Sequence, residues 1–268
     1  MTPSHALAAL GAMTGREVVR FVQQRGRLIS ALVRPLLWLI VVAAGFQNVF
    51  GISIIPPYQT YTPYQEYVLP GLTGMVLLFH GMQSSLSMVY DREMGMMRLL
   101  LTAPLPRWFL LLAKLMAGTL LSVAQVYAFL AAGYLLGVGF PPGGYLLALP
   151  AVFVSGLMLG ALGLLLSVYI RQLENFAGTM NFVIFPMFFI SSALYPLWRL
   201  RESAAEAIYW LALTNPFSHA VELVRFAAYG QFNPISAGVT AGCGLAFFLV
   251  AVVGYDPQRG LIRRKGGG

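Results

Sequence analysis

Six stretches of this sequence are long and apolar enough, or nearly so, to be helices that cross a lipid bilayer, and no other feature restricts the fold as much. A spanning helix needs about 20 apolar residues to cross about 30 Å of hydrocarbon. The stretches cover residues 32–49, 67–89, 108–136, 145–170, 176–194 and 234–255. Pro35 falls where a helix start tolerates proline, and Pro186 should kink the fifth stretch. With 58% hydrophobic and only 10% charged residues and a mean hydropathy of +0.74, the chain has more apolar surface than one globular core can bury. The excess is assigned to lipid. The expected fold is all-α, one membrane domain over residues 1–268 with a six-span bundle in 28–255.

Residues 1–27 lack the basic start, apolar middle and small-residue cleavage site of a secretory signal. Leu7, Leu10, Thr14, Val18 and Phe21 recur at spacings of three and four, with Arg16, Glu17, Arg20 and Gln24 elsewhere on the wheel. That pattern predicts an amphipathic helix lying along the membrane surface. Lys and Arg set the orientation. For six crossings, Arg199, Arg201 and Arg225 fall on one side, and the other fourteen of 17 basic residues fall on the opposite side. Both termini, the tail at 256–268 and the 90–107 connection are therefore expected in the cytoplasm. The net charge of +8 reflects this topology, and nucleic acid is not expected as a partner. The single cysteine, Cys243, can form no intrachain disulfide and is read as a packing residue.

Charge concentrates between the second and third stretches. Asp91, Arg92, Glu93 and Arg98 must lie in water, which makes this connection a docking surface for something soluble. Met96, Met97, Leu99, Leu100 and Leu101 follow as an apolar helical turn, and Pro104 and Pro106 stop it. A short helix would thus lie across the ends of two spans. Met94, Met96 and Met97 resemble soft copper ligands, but they lack an accompanying site and are read as packing; no metal site is expected.

The long outer connection at 195–233 contains two helix-like pieces, broken at Asn215 and Pro216, too short to span and too apolar to float free. They are expected to lie at or dip into the outer membrane surface. Glu222 and Arg225, three apart on one helical face, can pair and anchor the second piece. His80 lies near the middle of the second span, where a polar group is costly; Gln83, Ser84 or a neighbouring helix could satisfy it, and a place on a substrate path is the alternative. Phe182, Phe185 and Phe189 offer an aromatic surface for the same path. Lys114 is close enough to its helix start to snorkel.

Taken in order, these landmarks resemble the permease subunit of a type-2 ATP-binding-cassette exporter, of the polysaccharide, lipo-oligosaccharide and drug efflux kind. The resemblance rests on Arg34, Pro35, Leu36, Leu37 and Trp38 after the amphipathic helix, and on Tyr67, Val68, Leu69, Pro70 and Gly71 at the second span. It also rests on Glu93, Gly95, Leu99, Leu100 and Pro104 in the connection, and on Asn215 and Pro216 followed by Glu222 and Arg225. It implies that Asp91, Arg92, Glu93, Gly95, Met97, Arg98, Leu99, Leu100 and Pro104 form a coupling helix for an ATP-hydrolysing subunit. It implies two copies of this chain and two of that subunit, in a bacterial inner membrane, with lipid as the other partner.

The chain has two lysines, Lys114 after Ala113 and Lys265 after Arg264, so it has no Gly-Lys-Ser or Gly-Lys-Thr phosphate loop. ATP and magnesium would sit on the partner subunit, and no cofactor is expected on this chain. The aromatic cavity candidates and the scarcity of charge in the spans point to an amphiphilic or hydrophobic substrate. An ion-coupled secondary transporter would need buried carboxylates or matched broken helices. An intramembrane enzyme would need several polar groups converging at one depth. Neither pattern appears.

Overall fold

The computed structural model describes residues 8, 11–12, 14–19, 23, 32–46, 56–93, 106–170, 172–202 and 206–255. These residues are overwhelmingly helical, and among them there is no β-strand. Residues 14–19 of the expected surface helix are helical. Helix α1 is Leu32–Val41; it passes through a π turn at Trp38–Val42 and continues as Ala43–Phe46. Then follow α2 (Tyr64–Glu93), α3 (Arg107–Leu135), α4 (Gly144–Tyr169) and α5 (Leu173–Phe189). The connection after α5 supplies α6 (Leu197–Glu202), α7 (Glu206–Thr214) and α8 (Pro216–Ala228), and α9 (Pro234–Gly254) is the last described helix.

Local chemistry sets the boundaries. Pro106, held extended, opens α3, and Gly137 in the left-handed region (φ 81°) ends it, with Val138 N–H returning to Gly133 O at 3.0 Å. Asn215 and Asn233 cap α8 and α9 by accepting from Phe217 N–H and Ser236 N–H, both at 3.0 Å. Each cap precedes a proline, a residue preorganised for the first helical turn.

Among the described residues, three helices are long and apolar enough to cross a membrane: Trp108–Leu135, Gly144–Tyr169 and Pro234–Gly254. They match the third, fourth and sixth expected stretches. The other three differ for identifiable reasons. α2 is 30 residues long, but Pro70, Thr73, His80, Gln83 and Ser84 dilute its apolar run. It also starts at Tyr64, before the expected entry, so Pro70 lies inside it. α5 has only 17 residues, about 26 Å of rise, because the chain leaves the helix after Phe189. α1 is short and contains a π turn, a feature that interrupts regular helical bonding.

α4 is the centre of the bundle, packed along α2, α3 and α9 and buried over most of its length between Ala151 and Val168. Small residues make this possible. A Cβ at Gly163 would stand 2.6 Å from Gly81 O, and one at Gly81 would stand 3.0 Å from Gly160 N, so α2 and α4 cross backbone to backbone. α8 packs into this core through Phe217, Ala220, Val221 and Val224. It is therefore part of the bundle rather than a helix resting on its outer surface. α9 is different, with 11% of its apolar window buried, which leaves most of its surface for lipid or another chain.

Candidate functional site

The charged connection follows the C-terminal end of α2 in the sequence. α2 ends at Glu93. Asp91 and Arg92 belong to its last turn, with side chains outside the described set, and Gly95, Met97, Arg98, Leu99, Leu100 and Pro104 lie outside the described residues. Glu93 is exposed, and its carboxylate accepts from the backbone N–H of Leu173 at 2.9 Å. Leu173 is the first residue of α5, whose N-cap Gln172 supplies no side-chain cap; Gln172 Oε1 instead accepts from Asn175 Nδ2 at 2.6 Å. A residue ending α2 thus satisfies a free donor of α5.

α5 is two-faced. Phe176, Ile184 and Phe188 are buried, whereas Phe182, Phe185 and Phe189 are exposed at spacings of three and four. Phe185 and Phe189 stack at 6.3 Å, and Trp38 of α1 meets Phe189 edge-on at 5.9 Å. His80 points elsewhere. It is buried, with Nδ1 2.6 Å from Gln125 Oε1 on α3; an amide oxygen only accepts, so Nδ1 carries the proton. The neighbouring helix therefore supplies the hydrogen bond, and His80 does not share the exposed aromatic face.

At the opposite end of α2 the structure brings Asn215, Glu222 and Arg225 together with α2 and the chain leaving α5. Arg225 is 2% exposed. It pairs with Glu222, donates from Nη2 to Ser192 O at 2.8 Å, and lies 4.2 Å from the centre of the Tyr67 ring. Tyr67 also donates its hydroxyl to Ser192 O at 3.0 Å, and Tyr64 donates to Leu194 O at 2.8 Å. Asn215 Nδ2 donates to Met187 O at 2.8 Å and Ile190 O at 2.6 Å, the carbonyls left free at the end of α5. Beside the cluster, burial pushes the Tyr58 hydroxyl up to about 12, against the opposing pull of the Arg225 guanidinium, so it stays protonated.

Asn215 thus serves two helices at once. Asn215→Ala should cost more than the usual cap loss of about 1 kcal/mol, because two carbonyls of α5 lose their donor as well. A reversible unfolding titration in bicelles checks this; a cost no larger than that of Asn233→Ala, which removes a cap alone, would contradict the double role.

One polar cluster escaped the sequence reading. Lys114 is 8% exposed and does not lie along lipid; it lines a small cavity between α2, α3 and α4 with Ser84, Ser85, Thr119 and Ser122. The cavity measures about 10 Å³, room for about one water. Ser84 and Ser85 were legible as polar residues on α2, but their alignment with Lys114 depends on the crossing of three helices.

The all-helical bundle with its apolar helices agrees with the similarities to known proteins. The chain is 31% identical over 213 residues to the ycf38 transport permease of Cyanophora paradoxa, covering 77% of this chain and 70% of that protein. It is 29% identical over 246 residues to the ycf38 transport permease of Pyropia yezoensis, covering 86% and 77%. To the daunorubicin resistance ABC transporter permease DrrB1 of Streptomyces coeruleorubidus it is 23% identical over 232 residues, covering 85% and 78%. The ABC-2 type transporter family matches residues 8–229, a span that runs from the surface helix through α8. The match covers two of the three apolar spans and most of the chain, and the chain belongs to the ABC-2 type transporter family as a transport subunit.

Proposed function

We propose that this chain is the translocating half of an exporter in a bacterial inner membrane, working as a homodimer beneath which two ATP-hydrolysing subunits dock. ABC-2 permeases generally work with such subunits. In this reading the chain crosses the membrane six times, with both termini in the cytoplasm. The connection at 91–104 receives the ATPase, and the exposed Phe182, Phe185 and Phe189 face an amphiphilic or hydrophobic substrate between the two copies.

The observation that carries the reading is the continuity of α2. One unbroken helix holds Tyr67 in the outer cluster and Glu93 at the mouth of the charged connection. A rod about 45 Å long can carry a push at its inner end to the outer latch. The homodimer is supported by size, since six spans without a repeat make half of the usual pseudo-symmetric transporter, and by the largely uncovered surface of α9.

The test is ATP hydrolysis by the reconstituted complex in lipid nanodiscs. Arg98→Glu is expected to reduce hydrolysis to the level of the ATP-binding subunit alone while leaving this chain folded. Hydrolysis unchanged by Arg98→Glu and by Glu93→Lys together would remove the connection as the point of coupling.

A further inference from the structure

We propose that Glu93 is a releasable clamp on α5, through which displacement of the inner connection swings the cytoplasmic end of α5 about a fixed outer pivot. This rests on the transport reading above and assigns the route by which motion reaches the aromatic face.

Both ends of α5 depend on partners from other elements. A helix leaves its first N–H groups and last carbonyls unbonded, and nearby side chains normally close them. α5 has no local cap at its start: Gln172 is extended (φ −94°, ψ 135°) and its side chain is engaged with Asn175. The acceptor comes from Glu93, 80 residues earlier and the last residue of α2. A carboxylate suits this position because the helix start is electropositive. At the far end, Asn215 holds the carbonyls of Met187 and Ile190, and Arg225 and Tyr67 hold Ser192 O. Other elements thus grip α5 at both ends, and its exposed phenylalanines lie between the grips.

The two grips differ in strength. The outer one is a network of several bonds, half-buried at Asn215 and closed off just beyond it, where Ser192 is 1% exposed, Arg225 2% and Tyr67 3%. Hydrogen bonds closed off from water are costly to break, because each partner would be left unsatisfied. The inner one is a single exposed bond for which water competes. Breaking it costs little, and its carboxylate stands at the head of the charged connection. The buried end is the pivot and the exposed end is the one that moves. Glu93 is accordingly a positioning residue for the path, acting through α5 without touching the substrate.

The experiment uses the complex of this chain with its ATP-binding subunit in nanodiscs. An environment-sensitive fluorophore is placed on Ala177→Cys, an exposed position one turn into α5, in a Cys243→Ser background. ATP with vanadate is expected to change its emission. Leu173→Pro deletes the N–H donor at a first-turn position where proline is tolerated. The extended Gln172 before it already has the backbone that precedes a proline. This variant is expected to keep ATP hydrolysis but to lose the emission change by about fivefold or more, the scale of one hydrogen bond. Leu173→Ala keeps the N–H and should respond as wild type. Glu93→Ala should lose the response and Glu93→Gln, which retains an acceptor oxygen, should keep it.

A wild-type response that survives both Leu173→Pro and Glu93→Ala overturns the clamp alone. No response in the wild-type complex overturns the transport reading and the clamp with it.

Discussion

Glu222→Ala, made with Arg225 left in place, is expected to destabilise the bundle by about 3 kcal/mol, the lower end of the range for breaking a buried ion pair. The lower end applies because the Glu222 side chain is 22% exposed, against 3% for Arg225. The cost arises from the guanidinium. Once Glu222 is gone, a buried cation keeps neutral partners, the carbonyls of Ser192 and Tyr67 and the face of the Tyr67 ring, and no counter-charge among those contacts. Replacing both residues, as in Glu222→Leu with Arg225→Met, should recover at least half of the loss, since no unpaired charge then remains. Unfolding midpoints in mixed bicelles measure both. A single substitution that costs less than about 1 kcal/mol would mean that the pair behaves as a surface ion pair and is not the pivot proposed here.

The second large effect is expected at Gly71. A Cβ there would stand 2.7 Å from Ala193 Cα and 2.8 Å from Ala193 C, and backbone cannot step aside as a flexible side chain can. Gly71→Ala should therefore cost about 1–3 kcal/mol through overpacking. It should also displace the segment that presents Ser192 O to Arg225 and Tyr67. Gly178 is the control, because a Cβ there meets nothing within 4 Å. Gly178→Ala within α5 should be neutral or stabilising by up to about 1 kcal/mol. Equal effects at the two positions would contradict the close approach of α2 and the 190–194 segment.

How far the sequence could be read depends on how local each interaction is. The Glu222–Arg225 pair was legible because a spacing of three places both on one helix face. That Arg225 also reaches Ser192 was not, since the acceptor lies on a chain segment 33 residues away. The break at Asn215 and Pro216 was legible as punctuation, but the grip of Asn215 on α5 depends on where α5 ends. The apolar stretch runs on to 194, whereas the helix stops at Phe189. The residues in between leave the helix so that their carbonyls can face Arg225, Tyr67 and Tyr64. His80 required a partner in any reading, and only the packing of α2 against α3 selects Gln125.

Lys114 shows the same limit from the other side. One helix read alone places a lysine near its start, where snorkelling to the interface is the ordinary outcome. Three helices together turn it inward, toward Ser84, Ser85, Thr119 and Ser122. The glycines at 81, 160 and 163 were visible as composition, yet their use as a backbone crossing appears only when α2 and α4 are placed side by side. The apolar lengths of α3, α4 and α9 were clear from the start because nothing but hydrophobicity and length was needed.

In the proposed function a separate ATP-hydrolysing subunit drives this chain through the connection between α2 and α3. A photo-reactive amino acid at position 98, activated in intact membranes, tests this coupling. A cross-linked product between this chain and an ATP-binding protein is expected, with much lower yield from a probe at position 199 on the opposite side. The contrary result is transport by the purified chain without nucleotide, together with no such product from position 98.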